Sequence, residues 1–379
     1  MPMWQASCRF YCGSNGLRIP RIFGIFVFFI FLLNSNARAT SASDPTSADD
    51  FFDLSNLGYA GVPILGYDDK DGWVYGGAAF VYSDLQPSVN AGLYGVTNFN
   101  NFNSTTLNYE QRQNHWLYAF HGLAERAFDY YYGEGDLTST NNPFLISMDH
   151  YEARPALLYR FFPHFLLGAF DDYRSRLETG ILRVTLPVPG DPTRLFPDEN
   201  TNTVGLQAEW DTRDKIINTR KGDYYQLFFR DGPSGWTSWP DAEGFMQLEL
   251  DLRRYRTIYR HLTLASRFLG AISQGAPSYL FRYRLGGLDT LQGYEDNRFR
   301  GADYFHLQEE LRWFLVKWLS VNLSGNLGDI GDGSFHQLKT TAQIGLRVGI
   351  PPDWTQKIRM DLGYGFDQQT FQIQFGEIF

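Results

Sequence analysis

Three stretches in the second half of the chain set apolar against polar residues at every second position. Met246, Leu248, Leu250 and Leu252 interleave with Gln247, Glu249, Asp251 and Arg253. Leu338, Ala342, Ile344, Leu346, Val348 and Ile350 interleave with Lys339, Gln343 and Arg347. Ile358, Met360, Leu362, Tyr364 and Phe366 interleave with Arg359, Asp361, Gly363 and Asp367. A period of two places the two sets on opposite faces of a β-strand. A soluble β-sandwich would show the same alternation, but in strands of ~5–6 residues. These runs are about twice that long, which predicts strands that cross a bilayer, apolar face to lipid and polar face to a lumen.

The same reading over the rest of the chain predicts sixteen strands. Eleven fall at 61–68, 73–83, 88–98, 104–112, 115–128, 147–160, 164–175, 203–212, 223–231, 244–256 and 260–272. Five more fall at 304–316, 319–330, 336–350, 356–366 and 370–379. Asp69-Lys70-Asp71-Gly72, Gly331-Asp332-Gly333 and Pro351-Pro352-Asp353 mark turns. The short apolar piece 278–283 is assigned to the long polar, Gly-rich connection that follows it, which keeps the total even, as single-chain bacterial barrels require. Trp313, Trp318, Trp354, Tyr364 and Phe366 lie near strand ends, where aromatic girdles form. The expected fold is all-β: a transmembrane antiparallel β-barrel of about 16 strands over residues 61–379.

Composition supports this. Aromatic residues make up 17% of the chain, yet the mean hydropathy is −0.32. In a barrel lipid-facing and lumen-facing positions average out to such a value. After residue 39 no apolar run approaches the ~20 residues of a spanning helix.

The chain is expected to begin with a secretory signal peptide, residues 1–39. Arg18 and Arg21 give a positive flank, 22–33 is an almost wholly apolar run, and Ala37-Arg38-Ala39 fits a cleavage site. Residues 40–60 read as a short Ser/Asp/Thr-rich leader. Cleavage removes Cys8 and Cys12, so the exported chain has neither disulfides nor thiol chemistry. It also removes Arg9, Arg18, Arg21 and Arg38 and no acid, moving the net charge from −9 to −13. An acidic balance argues against nucleic acid as a partner, because binding it needs a basic footprint.

No catalytic constellation is visible. The histidines at 115, 121, 150, 164, 261, 306 and 336 lie in no hydrolase or metalloprotease motif. Asp171 and Asp172 are adjacent on a strand and face opposite sides, so they cannot form a dyad. Neither enzymatic activity nor a metal or other cofactor is expected.

The segment 285–301 reads LGGLDTLQGYEDNRFRG. Its core, Leu291-Gln292-Gly293-Tyr294, resembles the VRGF or LRGY core of the inward-folded loop in the BamA/TamA superfamily of outer-membrane barrels. Gln292 stands where that family has Arg, which there pairs with an acid on the barrel wall. Asp211, Arg213 and Asp214 with Gly222 resemble the family's D-T-R-D strand end and following strand start. Leu327-Gly328-Asp329-Ile330-Gly331 resembles its F-x-D-x-G strand, and Asp329 takes the position of the loop's wall partner. The segment 371–379, with Phe371, Ile373, Phe375 and the terminal Phe379, resembles its closing strand, the insertion signal for the cell's barrel-assembly machinery. The opening Gly61-Val62-Pro63-Ile64-Leu65-Gly66-Tyr67 is similar to first strands of short members.

The resemblance implies a bacterial outer-membrane protein in contact with lipid. The loop is expected in the lumen, held by Arg298 or Arg300 on Asp329, in place of the missing Arg. By alternation Asp329 shares the lipid-facing parity of Leu319, Val321, Leu323 and Leu327, so a bulge near Gly325 or Gly328 is expected to turn it inward. Asp211, Arg213 and Asp214 read equally as a strand-end ion network of small energetic value. The 20 or so residues before the first strand are too few for a periplasmic POTRA domain. The implied function is help with protein assembly or translocation for a protein client. A passive pore for small solutes and a membrane anchor for a partner protein are the alternatives.

Overall fold

The computed structural model describes residues 58–68, 72–83, 88–99, 102–133, 144–183, 198–215, 218–238, 244–287, 289–349, 357–366 and 368–375. The signal peptide, most of the leader, Trp354 and Phe379 lie outside these. The first strands are β1 (Gly58–Asp68), β2 (Gly72–Ser83), β3 (Ser88–Thr97), β4 (Asn103–Gln113), β5 (Trp116–Tyr131) and β6 (Phe144–Phe162). β7 (Phe165–Arg183), β8 (Glu199–Asp211), β9 (Gly222–Gly232), β10 (Phe245–Tyr259) and β11 (Leu262–Gly275) follow. Two short strands, β12 (Tyr283–Leu285) and β13 (Phe299–Gly301), pair only with each other. β14 (Asp303–Val316), β15 (Leu319–Gly331), β16 (Lys339–Gly349), β17 (Lys357–Tyr364) and β18 (Gln369–Phe375) complete the chain.

The other strands form one 16-stranded sheet in chain order, each antiparallel to the next, with β11 joining β14. The piece 278–283 stays out of it: Tyr279–Phe281 is a single 3-10 turn leading into the small hairpin. β1 begins at Gly58, three residues before the expected 61, because Gly58, Tyr59 and Ala60 pair with Tyr82, Val81 and Phe80. β6 and β7 run 19 residues each, longer than expected; β5 pairs with β6 to its first residue, whereas β7 continues past its last pairing with β8.

The sheet is inside-out by the standards of a soluble protein. Along β16 Arg347 is 0% exposed, while Ile344, three positions earlier on the opposite face, is 50% exposed. Leu323, Leu338 and Leu206 are likewise exposed, whereas Arg312, Arg359 and Gln308 are buried. A sheet that turns its apolar face outward all round is stable only where hydrocarbon, not water, is the solvent.

The sheet also curls. The Asn297 side chain donates to Asp129 on β5, and four residues earlier the Gly293 N–H donates to Thr370 on β18. Those strands are eleven pairing steps apart. Laid flat, that is about 50 Å, whereas four extended residues reach about 14 Å. The wall must therefore curl round the loop.

The two ends of the barrel differ. At one, connections are as short as 114–115, 163–164, 260–261 and 317–318. At the other they include 132–143, 184–198, 233–244 and 276–302. Exposed aromatics ring both: Trp116, Trp210, Trp313 and Trp318 at the short-turn end, Trp73, Tyr75, Tyr364 and Phe366 at the long-loop end.

Candidate functional site: a loop braced across the lumen

The connection from β11 to β14 enters the barrel and touches its wall on three sides. Its first arm lies on β7, β9 and β10. Arg174 donates to the Leu280 carbonyl at 2.9 Å, and Gln247 donates to the Phe281 carbonyl at 2.8 Å. The Arg174 and Arg230 guanidiniums stack on the Phe281 ring, 4.5 and 5.3 Å from its centroid. Arg176 and Arg300 stack on Tyr279 in the same way, at 4.3 and 4.1 Å. These contacts satisfy loop carbonyls in a space where an unpaired one would be costly.

The tip of the loop reaches β15, β17 and β18. Leu291, Gln292 and Tyr294 are buried. Gly293 has φ +114°, which only glycine adopts readily, and a Cβ there would lie 2.5 Å from the carbonyl carbon of Tyr364. The Glu295 N–H donates to the Gln368 side chain at 3.1 Å, and the Tyr132 hydroxyl donates to the Glu295 carboxylate. Leu285, Leu291, Tyr294 and Phe299 pack with Leu269, Tyr304 and Ile330 of the wall into one apolar cluster. Gln292 faces Ser324, whose hydroxyl lies 3.5 Å from the amide oxygen and itself donates to Gln343 at 2.7 Å. These neighbours are neutral, as suits an uncharged residue at that position.

The returning strand crosses to β5. Arg300 pairs with Asp129, Nη2 to Oδ2 2.8 Å, and the pair is almost fully buried. Arg298 stacks on Tyr132 and Phe299, 4.7 Å from each centroid. The expected pairing of Arg298 or Arg300 with Asp329 is therefore corrected: Asp329 accepts instead from Lys339 at 3.2 Å and from the Ile330 and Gln337 N–H groups. The reason lies in the small hairpin. Its pairing of Arg284 with Arg300 fixes the direction of β13 and carries Arg300 to β5. Lys339, paired opposite Gly328 at the start of β16, is already beside Asp329. The expected bulge is corrected too, since the β14–β15 pairing shifts register only near Phe314 and Val316. Asp329 is buried because 337–339 wraps over it. Lys339 also sits 4.5 Å above the Phe299 ring, so the wall pair still touches the loop.

The sequence reading missed Asp129, Tyr132, Lys339, Gln368 and Thr370. Only Lys339 carried a signal, as a lumen-parity member of an alternating run. The others sit on or just beside β5 and β18, and their partners are far away in the chain.

The strand-end motif organises a turn. Arg213 makes two bonds to Asp211, at 2.9 and 2.7 Å, and stacks on Tyr224 at 4.2 Å. Asp214 accepts from the N–H groups of Lys215, Arg220 and Lys221. Gly222 has φ +113°, and a side chain there would collide with the Thr212 carbonyl. On β18, Phe371 is exposed while Thr370 and Gln372 are buried. The side chains of Ile373 and Phe375 lie outside the described residues.

Arginine–carboxylate networks knit the lumen wall elsewhere. Asp251 takes both Arg253 and Arg267, and Asp361 takes both Arg347 and Arg359. Among the described residues no group of three His, Cys, Asp or Glu could hold a metal ion.

The fold is shared with solved outer-membrane barrels. Against BamA from Haemophilus ducreyi lacking POTRA domains 1–3, the TM-score is 0.55 at 11% identity, over 84% of this chain and 69% of that one. Against CdiB from Escherichia coli it is 0.59 at 13% identity, over 84% and 62%. Against CdiB from Acinetobacter baumannii it is 0.55 at 10% identity, over 84% and 59%. The chain thus spans less than two thirds of either CdiB. No protein-family model matches the sequence, and no curated protein matches it. The chain has the BamA/TamA-like outer-membrane β-barrel fold, and its lipid-facing belt suits that membrane.

Proposed function

We propose that this outer-membrane barrel assists the assembly or translocation of a protein client, and that its lumen loop is the part that must yield for it to work. The observation that carries this reading is the loop's attachment to three separate regions of the wall. A passive solute pore needs an open lumen, whereas this one is crossed by a segment held through arginine–carbonyl, tyrosine–carboxylate and arginine–carboxylate contacts. Held by many modest contacts rather than one covalent link, such a loop can be released. The BamA- and CdiB-like fold supports the same reading. In this proposal the protein is not an enzyme and uses no cofactor. Its partners are outer-membrane lipid, the barrel-assembly machinery during its own insertion, and the client.

Conductance in planar bilayers tests this. Folded protein, identified by a gel mobility that changes on boiling, should conduct weakly and fitfully. Replacing Asp129 and Glu295 together by Ala should free the loop and raise the conductance. Steady, large conductance by the unaltered protein would instead make it a solute pore.

A further inference from the structure

The lumen is not filled evenly. Beside the loop tip Gln292, Ser324 and Gln343 are buried. On the opposite wall the inward-facing His121, Glu152, Arg154, Arg174 and Glu249 are only half-buried, so accessible space remains beside them. That space is layered. Phe281 of the loop arm lies on Arg174 and Arg230 towards the long-loop end. Towards the short-turn end Leu117, Ala156, Leu158, Phe170 and Phe228 form a buried apolar collar.

Between these layers the guanidiniums outnumber their acceptors. Asp172 accepts from both Arg174, at 3.0 Å, and Arg230, at 2.9 Å. Glu152 lies 3.1 Å from His150 and 3.8 Å from Arg174. Arg154 faces this whole group, with Asp172, Arg230, Arg174 and Glu152 all in electrostatic reach. Yet it makes no hydrogen bond or ion pair among the described residues, and its guanidinium rests 5.9 Å from the Phe228 ring. The buried Nε of Arg230 has no partner either. Arg284, on the loop, lies closest to the Arg300 and Asp129 charges, with Glu152 also in electrostatic reach, and its side chain makes no hydrogen bond among the described residues. The remaining acid, Glu249, faces Arg174 and Tyr283. Arg154, Arg174, Arg230, Arg284 and Arg300 thus meet Asp129, Glu152, Asp172 and Glu249, five guanidiniums against four carboxylates.

We propose that Arg154 forms a lumen binding site for a small oxyanion, a carboxylate or phosphate group. A guanidinium offers paired donors that match an oxyanion's geometry. Apolar layers above and below lower the local dielectric and strengthen each bond. The site is independent of whether the barrel serves a protein client, since it needs only the folded wall.

The test uses the full folded protein in detergent, titrated calorimetrically with inorganic phosphate and separately with acetate. Saturable binding of at least one anion is expected, and the preferred anion tells phosphate-bearing from carboxylate-bearing ligands. Arg154→Gln should weaken it about ten- to a hundredfold. Arg154→Lys, which keeps the charge and loses the paired donors, should fall between. Arg126→Gln, which removes a guanidinium from the outer face, should bind as the unaltered protein does. Absence of saturable binding by the unaltered protein, or unchanged affinity in Arg154→Gln, overturns the site. Should Arg154→Gln fail to fold, Arg154→Lys decides by the same criterion.

Discussion

The guanidinium of Arg300 and the carboxylate of Asp129 meet at 2.8 Å although 171 positions separate them in the chain. Their contact joins the returning strand of the lumen loop to β5, across the barrel from the loop tip on β18. A buried pair of this kind loses more when one partner is removed than when both are, because the survivor is left uncompensated. The double-mutant cycle of Asp129→Ala and Arg300→Ala, read by chaotrope unfolding in detergent, should therefore show a coupling of about 1–3 kcal/mol. Additive losses would mean that the pair is incidental.

Asp329 gives the contrasting case. Its bonds run to Lys339 and two backbone amides rather than to the loop arginines. Asp329→Ala should couple with Lys339→Ala and add to Arg300→Ala within about 0.5 kcal/mol. Strong coupling of Asp329 with Arg300 in the same unfolding assay would restore the pairing that the structure replaces.

Gly293→Ala should dislodge the loop tip. The new methyl group would need a positive φ and would press on Tyr364 and Gly365. A loss of more than ~1 kcal/mol of loop docking is expected. Limited proteolysis should then cut within 289–297 in the variant and spare the unaltered protein. Equal protection of both would show that the tip tolerates a side chain.

Leu323→Arg tests the belt. Leu323 is 56% exposed on the outer face, midway along β15. A charge there should cost about 2–4 kcal/mol in a bilayer. Folding measured in vesicles should show this loss; stability unchanged from Leu323 would remove the residue from the hydrocarbon zone.

Phe379 carries a prediction from the sequence alone. Phe371 is exposed on β18, and residue 379 shares its parity. Deleting Phe379 should leave protease-sensitive chains in the periplasm, while the same variant folds in detergent. Wild-type levels in the outer membrane would reduce Phe379 to a girdle aromatic.

The barrel was legible in the sequence because its cause is local. Alternation such as Leu248-Glu249-Leu250-Asp251 sets which face meets lipid, and turn residues such as Asp69 and Gly72 set where each strand stops. Neither needs knowledge of any distant residue, so the number of strands and their order follow from one pass along the chain. Segment 278–283 could be kept out of the wall on the same grounds, since it is too short to cross.

The partners of the loop were not legible, because they follow from the curling of the sheet. Once the sheet curls, Asp129, Tyr132, Gln368 and Thr370 come within reach of a loop that no local pattern ties to them. Parity predicted that Asp329 faces lipid unless a bulge turned it; the wrapping of 337–339 buries it instead, and Lys339, not an arginine of the loop, is the nearest charge. Arg154, without a hydrogen-bond or ion-pair partner among the described residues, likewise emerges only when β6 to β9 stand side by side and the acceptors can be compared with the donors. Periodicity along the chain determined the wall; what the wall encloses was decided by which strands the curvature brings face to face.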